Sequence, residues 1–213
     1  MSGDDRLKIL TAAILCSLGL MAFSFFIQYR FPVRLLSFTG LLMAAIIISR
    51  NLRSGADLRK ITGMNIFNRI TFLYTISGIA AGVAVAFFYR WYLDIRLFPK
   101  SFQVFAIVAA LVGSTEELVF RGFLQESVKN INGPFSILFS TVSHTGYKCC
   151  LFLSPVITAD INIGYLALWT FGAGIFFGTI RHQSKSLLPS LSAHALFDIL
   201  VYAEFNNAPW WVW

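Results

Sequence analysis

The sequence predicts an all-α fold, a polytopic integral membrane helical bundle of about seven transmembrane helices. Three observations carry that expectation. Of the 213 residues, 57% are hydrophobic and only 13% charged, about half the charge of an ordinary soluble domain. Mean hydropathy is +0.70. The charges gather in short clusters between long apolar runs, as expected of a chain whose solvent is lipid.

Seven apolar segments are candidate spans, roughly 8–28, 33–49, 70–90, 101–121, 134–153, 161–180 and 186–205. Each lies near the ~20 residues that a helix needs to cross ~30 Å of hydrocarbon. The first is too long for the core of a cleavable signal, and no small-residue cleavage site follows it. The second is the shortest. The fourth is apolar only as far as Gly113. The fifth and seventh contain histidine, which a plain lipid anchor avoids. The connections are short and polar; the longest, from Arg50 to Arg69, holds several basic residues and reads as an interfacial loop. The whole of 1–213 is expected to be one membrane domain, with a catalytic core over 100–205 and three additional spans in 1–99.

The formal net charge is +7. The Lys and Arg residues flank apolar runs, so lipid headgroups are the expected counter-charge. No basic face interleaved with aromatics points to nucleic acid. Arg6, Lys8, Arg50, Arg53, Arg59, Lys60, Arg69, Arg121, Lys129, Arg181 and Lys185 fall on one side of the predicted bundle. Arg30, Arg34, Arg90, Arg96, Lys100 and Lys148 fall on the other. That bias predicts a cytoplasmic N-terminus and an external C-terminus, in the inner membrane of the cell if the source is bacterial. Trp91, Tyr92, Trp210, Trp211 and Trp213 fit aromatic belts on the outer side. Cys16, Cys149 and Cys150 have no zinc-type spacing and read as free thiols.

Ionisable residues at membrane depth are expensive, about 2.5–3.5 kcal/mol at a helix centre, and are functional candidates by default. Three groups qualify. Glu116-Glu117-x-x-x-Arg121 closes the fourth span. Glu117 and Arg121, at i,i+4, share a face, which leaves Glu116 pointing elsewhere. His144 lies in the fifth span. His194 and Asp198 share a face of the seventh. At 1.5 Å per residue, Glu116 lies about 8 Å, His144 about 15 Å and His194 about 12 Å from the predicted inner ends. Residues from three segments at similar depth are expected to form one cluster. The bland alternatives are an interfacial charge cluster, a packing histidine and an interhelical polar clasp.

A Glu-Glu-x-x-x-Arg motif, a membrane histidine and a late His-x-x-x-Asp resemble the signature of the CAAX protease and bacteriocin-processing family, which includes the Ras-converting enzyme. The stretch Ser186–Asp198 is similar to its third motif. The resemblance covers about 101–205; the first three spans match only in being apolar. It implies an intramembrane protease acting on a peptide or protein in the lipid bilayer by a glutamate mechanism, without a metal or other cofactor. By that resemblance Glu116 is the catalytic glutamate, His144 its partner on the water, Glu117 and Arg121 the supporting pair, and His194 with Asp198 the oxyanion pair. The family more often has Asn than Asp at position 198. Its second motif usually places Phe four residues before the histidine, where this chain has Ser140, with Phe139 one place off.

The residues fit that chemistry on their own terms. Peptide hydrolysis needs an activated water and donors for the developing oxyanion. Two other classes fit the same residues. His144, His194 and Glu116 or Asp198 are possible zinc ligands, although no His-Glu-x-x-His occurs. Membrane carboxylates and histidines also build proton relays in transport or immunity proteins, although no repeat between halves is visible.

Overall fold

A computed structural model describes residues 2–63, 68–156 and 162–207, and every regular element among them is helical. The order is α1 (Gly3–Phe26), α2 (Leu35–Asn51), α3 (Gly55–Thr62), α4 (Arg69–Tyr92), α5 (Val104–Glu117), a π-helical segment (Leu118–Leu124), α6 (Gln125–Val128), α7 (Gly133–Leu153), α8 (Ile163–Ser184) and α9 (Leu188–Val201). A helix stands in each of the seven expected segments, but among the described residues only α1, α4 and α8 are long and apolar enough to cross a membrane. A fourth qualifies only if α2 and α3, bent by 107°, count as one span. The reasons are physical. α9 has 14 residues, about 21 Å at 1.5 Å per residue, short of the ~30 Å hydrocarbon. α7 is long enough, but Ser136, Ser140, Thr141, Ser143, His144 and Lys148 dilute its apolarity.

The segment expected to be an interfacial loop between Arg50 and Arg69 contains helix α3. A capping box starts it, with the Ser54 side chain accepting from Asp57 N–H and the Asp57 carboxylate accepting from the Ser54 backbone. The Ser54 hydroxyl, donating to the Asp57 carboxylate, holds that carboxyl below its ordinary range, helped by the backbone amides of Arg53 and Ser54. Gly63 ends the helix at φ 60°, where a Cβ would collide with the Lys185 carbonyl.

Small residues set two close helix crossings, since in lipid it is packing and polar contact that hold helices together. Gly19 of α1 meets Gly40 of α2. On α4, Gly78 and Gly82, four apart, face the carbonyls of Pro189 and Ala193 on α9, where a Cβ would lie 2.7 Å from the first. That close approach fixes the helix bearing His194. At the far end, fully buried Arg90 donates to the Arg96 and Leu200 carbonyls at 2.6 and 2.7 Å and pairs with Glu204 at 2.7 Å. A residue counted among the outer basic charges therefore ties α4 to the end of α9.

Trp91 and Tyr92 are exposed, at 66% and 62%, which suits a belt position; Trp210, Trp211 and Trp213 lie outside the described residues. Cys16, Cys149 and Cys150 are free thiols.

Candidate active site

Four elements deliver the polar cluster. α5 ends on Glu116 and Glu117, the π-helical segment supplies Arg121, α7 supplies His144, and α9 supplies His194 and Asp198. All six residues expected from the sequence come together. π-helical turns are rare and occur often at functional sites; this one follows directly on the two glutamates and carries Arg121.

Glu117 and Arg121 are both fully buried and pair at 3.1 Å. Glu116 turns away from that pair. Its Oε2 lies 3.1 Å from His144 Nε2. The second ring nitrogen, Nδ1, lies 2.8 Å from Arg121 Nη1. A guanidinium only donates, so Nδ1 accepts and the proton of a neutral ring sits on Nε2. The ring therefore donates to the Glu116 carboxylate. Arg121 thus sets the tautomer of His144.

On the opposite wall His194 Nδ1 lies 3.0 Å from Glu117 Oε1. Its Nε2 faces Asp198 Oδ2 at 3.7 Å and Glu116 Oε2 at 4.0 Å. Neither separation is a hydrogen bond. The partner that holds the His194 ring is consequently Glu117, not its i,i+4 neighbour Asp198. Phe177 stacks on the ring at 5.9 Å.

Sequence reasoning passed over four contributors. Lys148, counted with the outer basic residues, ion-pairs with Glu116 Oε1; its i,i+4 spacing from His144 was the available signal. Gly113 leaves the space that α9 fills, because a Cβ there would collide with Asp198 Oδ2 and lie 3.0 Å from the His194 ring. Phe120 sits 4.6 Å from the His144 ring centroid. Buried Ser140 instead donates to the Ile137 carbonyl at 3.1 Å and lies 3.5 Å from Gln125 Oε1. The nearer aromatic neighbour of this histidine thus comes from the π-helical segment, while Tyr147 of α7 stacks further off at 6.4 Å. Ser17 of α1 bonds Ser143 at 2.9 Å, bracing α7 next to His144.

Residues 98–200 match the model of one protein family, the type II CAAX prenyl endopeptidase Rce1-like family. Comparison with curated proteins and with solved structures returned no match. The match spans α5 to α9 and with them every residue of the cluster. The segment 98–200, and with it the polar centre of this bundle, is therefore similar to the Rce1-like CAAX endopeptidase family.

Proposed function

We propose that the chain is an intramembrane endopeptidase that hydrolyses a peptide bond by a glutamate mechanism. Its substrates would be membrane-associated proteins or peptides, including C-terminally anchored or lipidated ones. The observation that carries this reading is the directed chain Arg121 to His144 to Glu116. It leaves Glu116 as the acceptor of a fixed hydrogen bond, ionised and held by a ring that cannot take its place as base.

In this reading Glu116 takes a proton from a water. The hydroxide adds to the scissile carbonyl, and the carbonyl π electrons move to oxygen. The oxyanion forms on the α9 side, where it needs a donor. Charge balance supplies one. Glu116, Glu117 and Asp198 face two permanent cations, Arg121 and Lys148, with His194 Nδ1–H donating to Glu117. Neutrality asks for one more proton between His194 Nε2 and Asp198 Oδ2, 3.7 Å apart. Whichever atom carries it is a donor to the oxyanion. Collapse of the intermediate breaks the C–N bond, and Glu116 returns its proton to the leaving amine. The products are a carboxylate and an amine.

Two further classes fit the residue types less well. A zinc ion bound by His144 needs a ring lone pair, yet Nδ1 accepts from Arg121 and Nε2–H donates to Glu116. A proton relay has no use for the arginine that pins the ring. The deciding experiment is purified Glu116→Gln assayed on a membrane-peptide substrate beside the parent. Folding with loss of all cleavage supports the mechanism. Retained cleavage removes Glu116 from it.

A further inference from the structure

At the end of the bundle marked by Arg50 and Arg181 lies a second concave site, apart from the polar centre. It is a cavity of about 460 Å³ between α3 and the ends of α6 and α8. Arg59, Lys60, Lys129, Arg181 and Lys185 line it, with Glu126 as the carboxylate on its wall. Glu126 pairs with Lys129 at 3.2 Å and Arg181 at 3.4 Å. One carboxylate cannot offset five cations, so the wall is strongly positive. Asp57, the nearest acidic residue on α3, is occupied by its own capping box.

Arg181 is the built element of the cavity. Its side chain is 3% exposed. Nη2 donates to the Ile61 carbonyl at 2.9 Å, which locks the C-terminus of α3 onto α8. Its buried Nε has no hydrogen-bond partner among the described residues. A buried guanidinium donor left unmatched costs free energy, and an acceptor oxygen entering the cavity would relieve that cost. Gly63 lines the same cavity, and its missing side chain lets the backbone of Lys185 pack against the end of α3.

We propose that this cavity binds a phosphate group, and that its occupant is the phosphodiester of an anionic lipid. Guanidinium and ammonium groups converging on one space recognise phosphate. With α8 crossing the bilayer, its end and the site beside it would lie at headgroup level. Its floor is the amphipathic α3, set at 107° to the apolar α2, beside the ends of the long helices. Basic pockets between helices at this level suit lipid headgroups. A free phosphate would use the same donors, and competition separates the two sources.

The test is native mass spectrometry of the full chain released from micelles with phosphatidylglycerol or phosphatidylcholine. Phosphatidylglycerol is expected to stay bound and phosphatidylcholine to dissociate. The triple variant Arg59→Gln/Lys129→Gln/Lys185→Gln changes only rim cations, so its melting temperature should stay near the parent's. It should weaken lipid retention by on the order of a hundredfold, from the worth of three cations at a charged surface. Displacement of the lipid by inorganic phosphate would assign the site to free phosphate as well; persistence would reserve it for lipid. Equal retention of both lipids, or undiminished phosphatidylglycerol binding by the triple variant, would overturn the proposal. Neither result bears on cleavage, which rests on Glu116.

Discussion

Glu117 Oε1 is held from two directions, ion-paired with Arg121 Nη1 at 3.1 Å and hydrogen-bonded to His194 Nδ1 at 3.0 Å. A single carboxylate oxygen thereby joins the end of α5 to α9. The neighbouring Glu116 takes no part in that joint and reaches His144 and Lys148 instead. The two adjacent glutamates are thus divided between the joint of α5 with α9 and, in the proposed mechanism, the chemistry.

Glu117→Gln and Glu116→Gln should therefore fail differently. Breaking a buried ion pair costs about 3–5 kcal/mol, so Glu117→Gln should lower yield and melting temperature before any assay is run. Glu116→Gln should fold with nearly normal yield and cleave nothing. A well-folded, inactive Glu117→Gln beside an active Glu116→Gln would reverse the assigned roles.

Gly113→Ala tests the packing of α5 under α9. The added methyl would overlap Asp198 and crowd the His194 ring. Overpacking costs about 1–3 kcal/mol, and here relief has to come from moving the oxyanion side of the site. Turnover should fall far more than stability, with Gly113→Ser no better. Parent-like turnover in Gly113→Ala would mean that α9 is not held where the structure places it.

Lys148 offers a third comparison. Its side chain is 24% exposed and its partner Glu116 is 7% exposed, so the pair is only partly dry. Lys148→Met should cost about 1–2 kcal/mol, below the range for a fully buried pair. Lys148→Arg should recover most of it, since charge rather than shape is the requirement. Thermal melts of the three proteins would decide; a Met variant as stable as the parent would show that the ion pair contributes nothing.

How far the sequence disclosed all this depends on the kind of signal. Residues four apart on one helix, such as Glu117 with Arg121 and His194 with Asp198, are legible because helical geometry alone puts them together. That Glu117 rather than Asp198 holds the His194 ring was not legible, since it depends on how α5 crosses α9. The glycines at 78, 82 and 113 show the same limit. Each matters through an atom on another helix, and nothing local marks it. Crossing number suffered for a related reason: polar residues that build the site in α7 weaken the hydropathy by which a span is recognised. α3 was legible in principle, through Ser54 and Asp57 at capping-box spacing, but the basic residues around it outweighed that local pattern.

Topology is a separate prediction. Seven crossings with the N-terminus in the cytoplasm would carry the α9 end to the outside, following the basic bias across the loops. A phosphatase reporter fused after Asn207 should be active only when exported, and a cytoplasmic reporter at the same place should be silent. The opposite pattern would mean that α9, at 14 residues, turns back without crossing.

The sharpest test lies in His194 and Asp198, because the proton they share has two possible homes. If it rides on His194 Nε2, the imidazolium donates to the oxyanion and Asp198 serves as its counter-charge. If it rides on Asp198, the carboxylic acid donates directly, as an acid in an apolar site can. Tautomer control cannot be the task of Asp198, because Glu117 already holds Nδ1 at 3.0 Å. Asp198→Asn separates the two cases. Its amide is a permanent neutral donor, and removing the acid also removes the need for the extra proton, leaving Glu116 and Glu117 against Arg121 and Lys148. Should Asp198 donate, the Asn variant keeps most of its turnover, and Asn at this position is also the commoner residue in the family that the motifs resemble. Should His194 donate, the Asn variant loses the counter-charge that keeps the ring doubly protonated, and turnover collapses. We expect the first outcome. His194→Ala should then still lower kcat while KM changes little, because Asp198 loses the ring packed beside it; where His194 is itself the donor, the cost is the about 10²–10³ usual for one oxyanion contact. An active His194→Ala enzyme would take His194 out of the mechanism. A dead but folded Asp198→Asn enzyme would move the proton to the histidine.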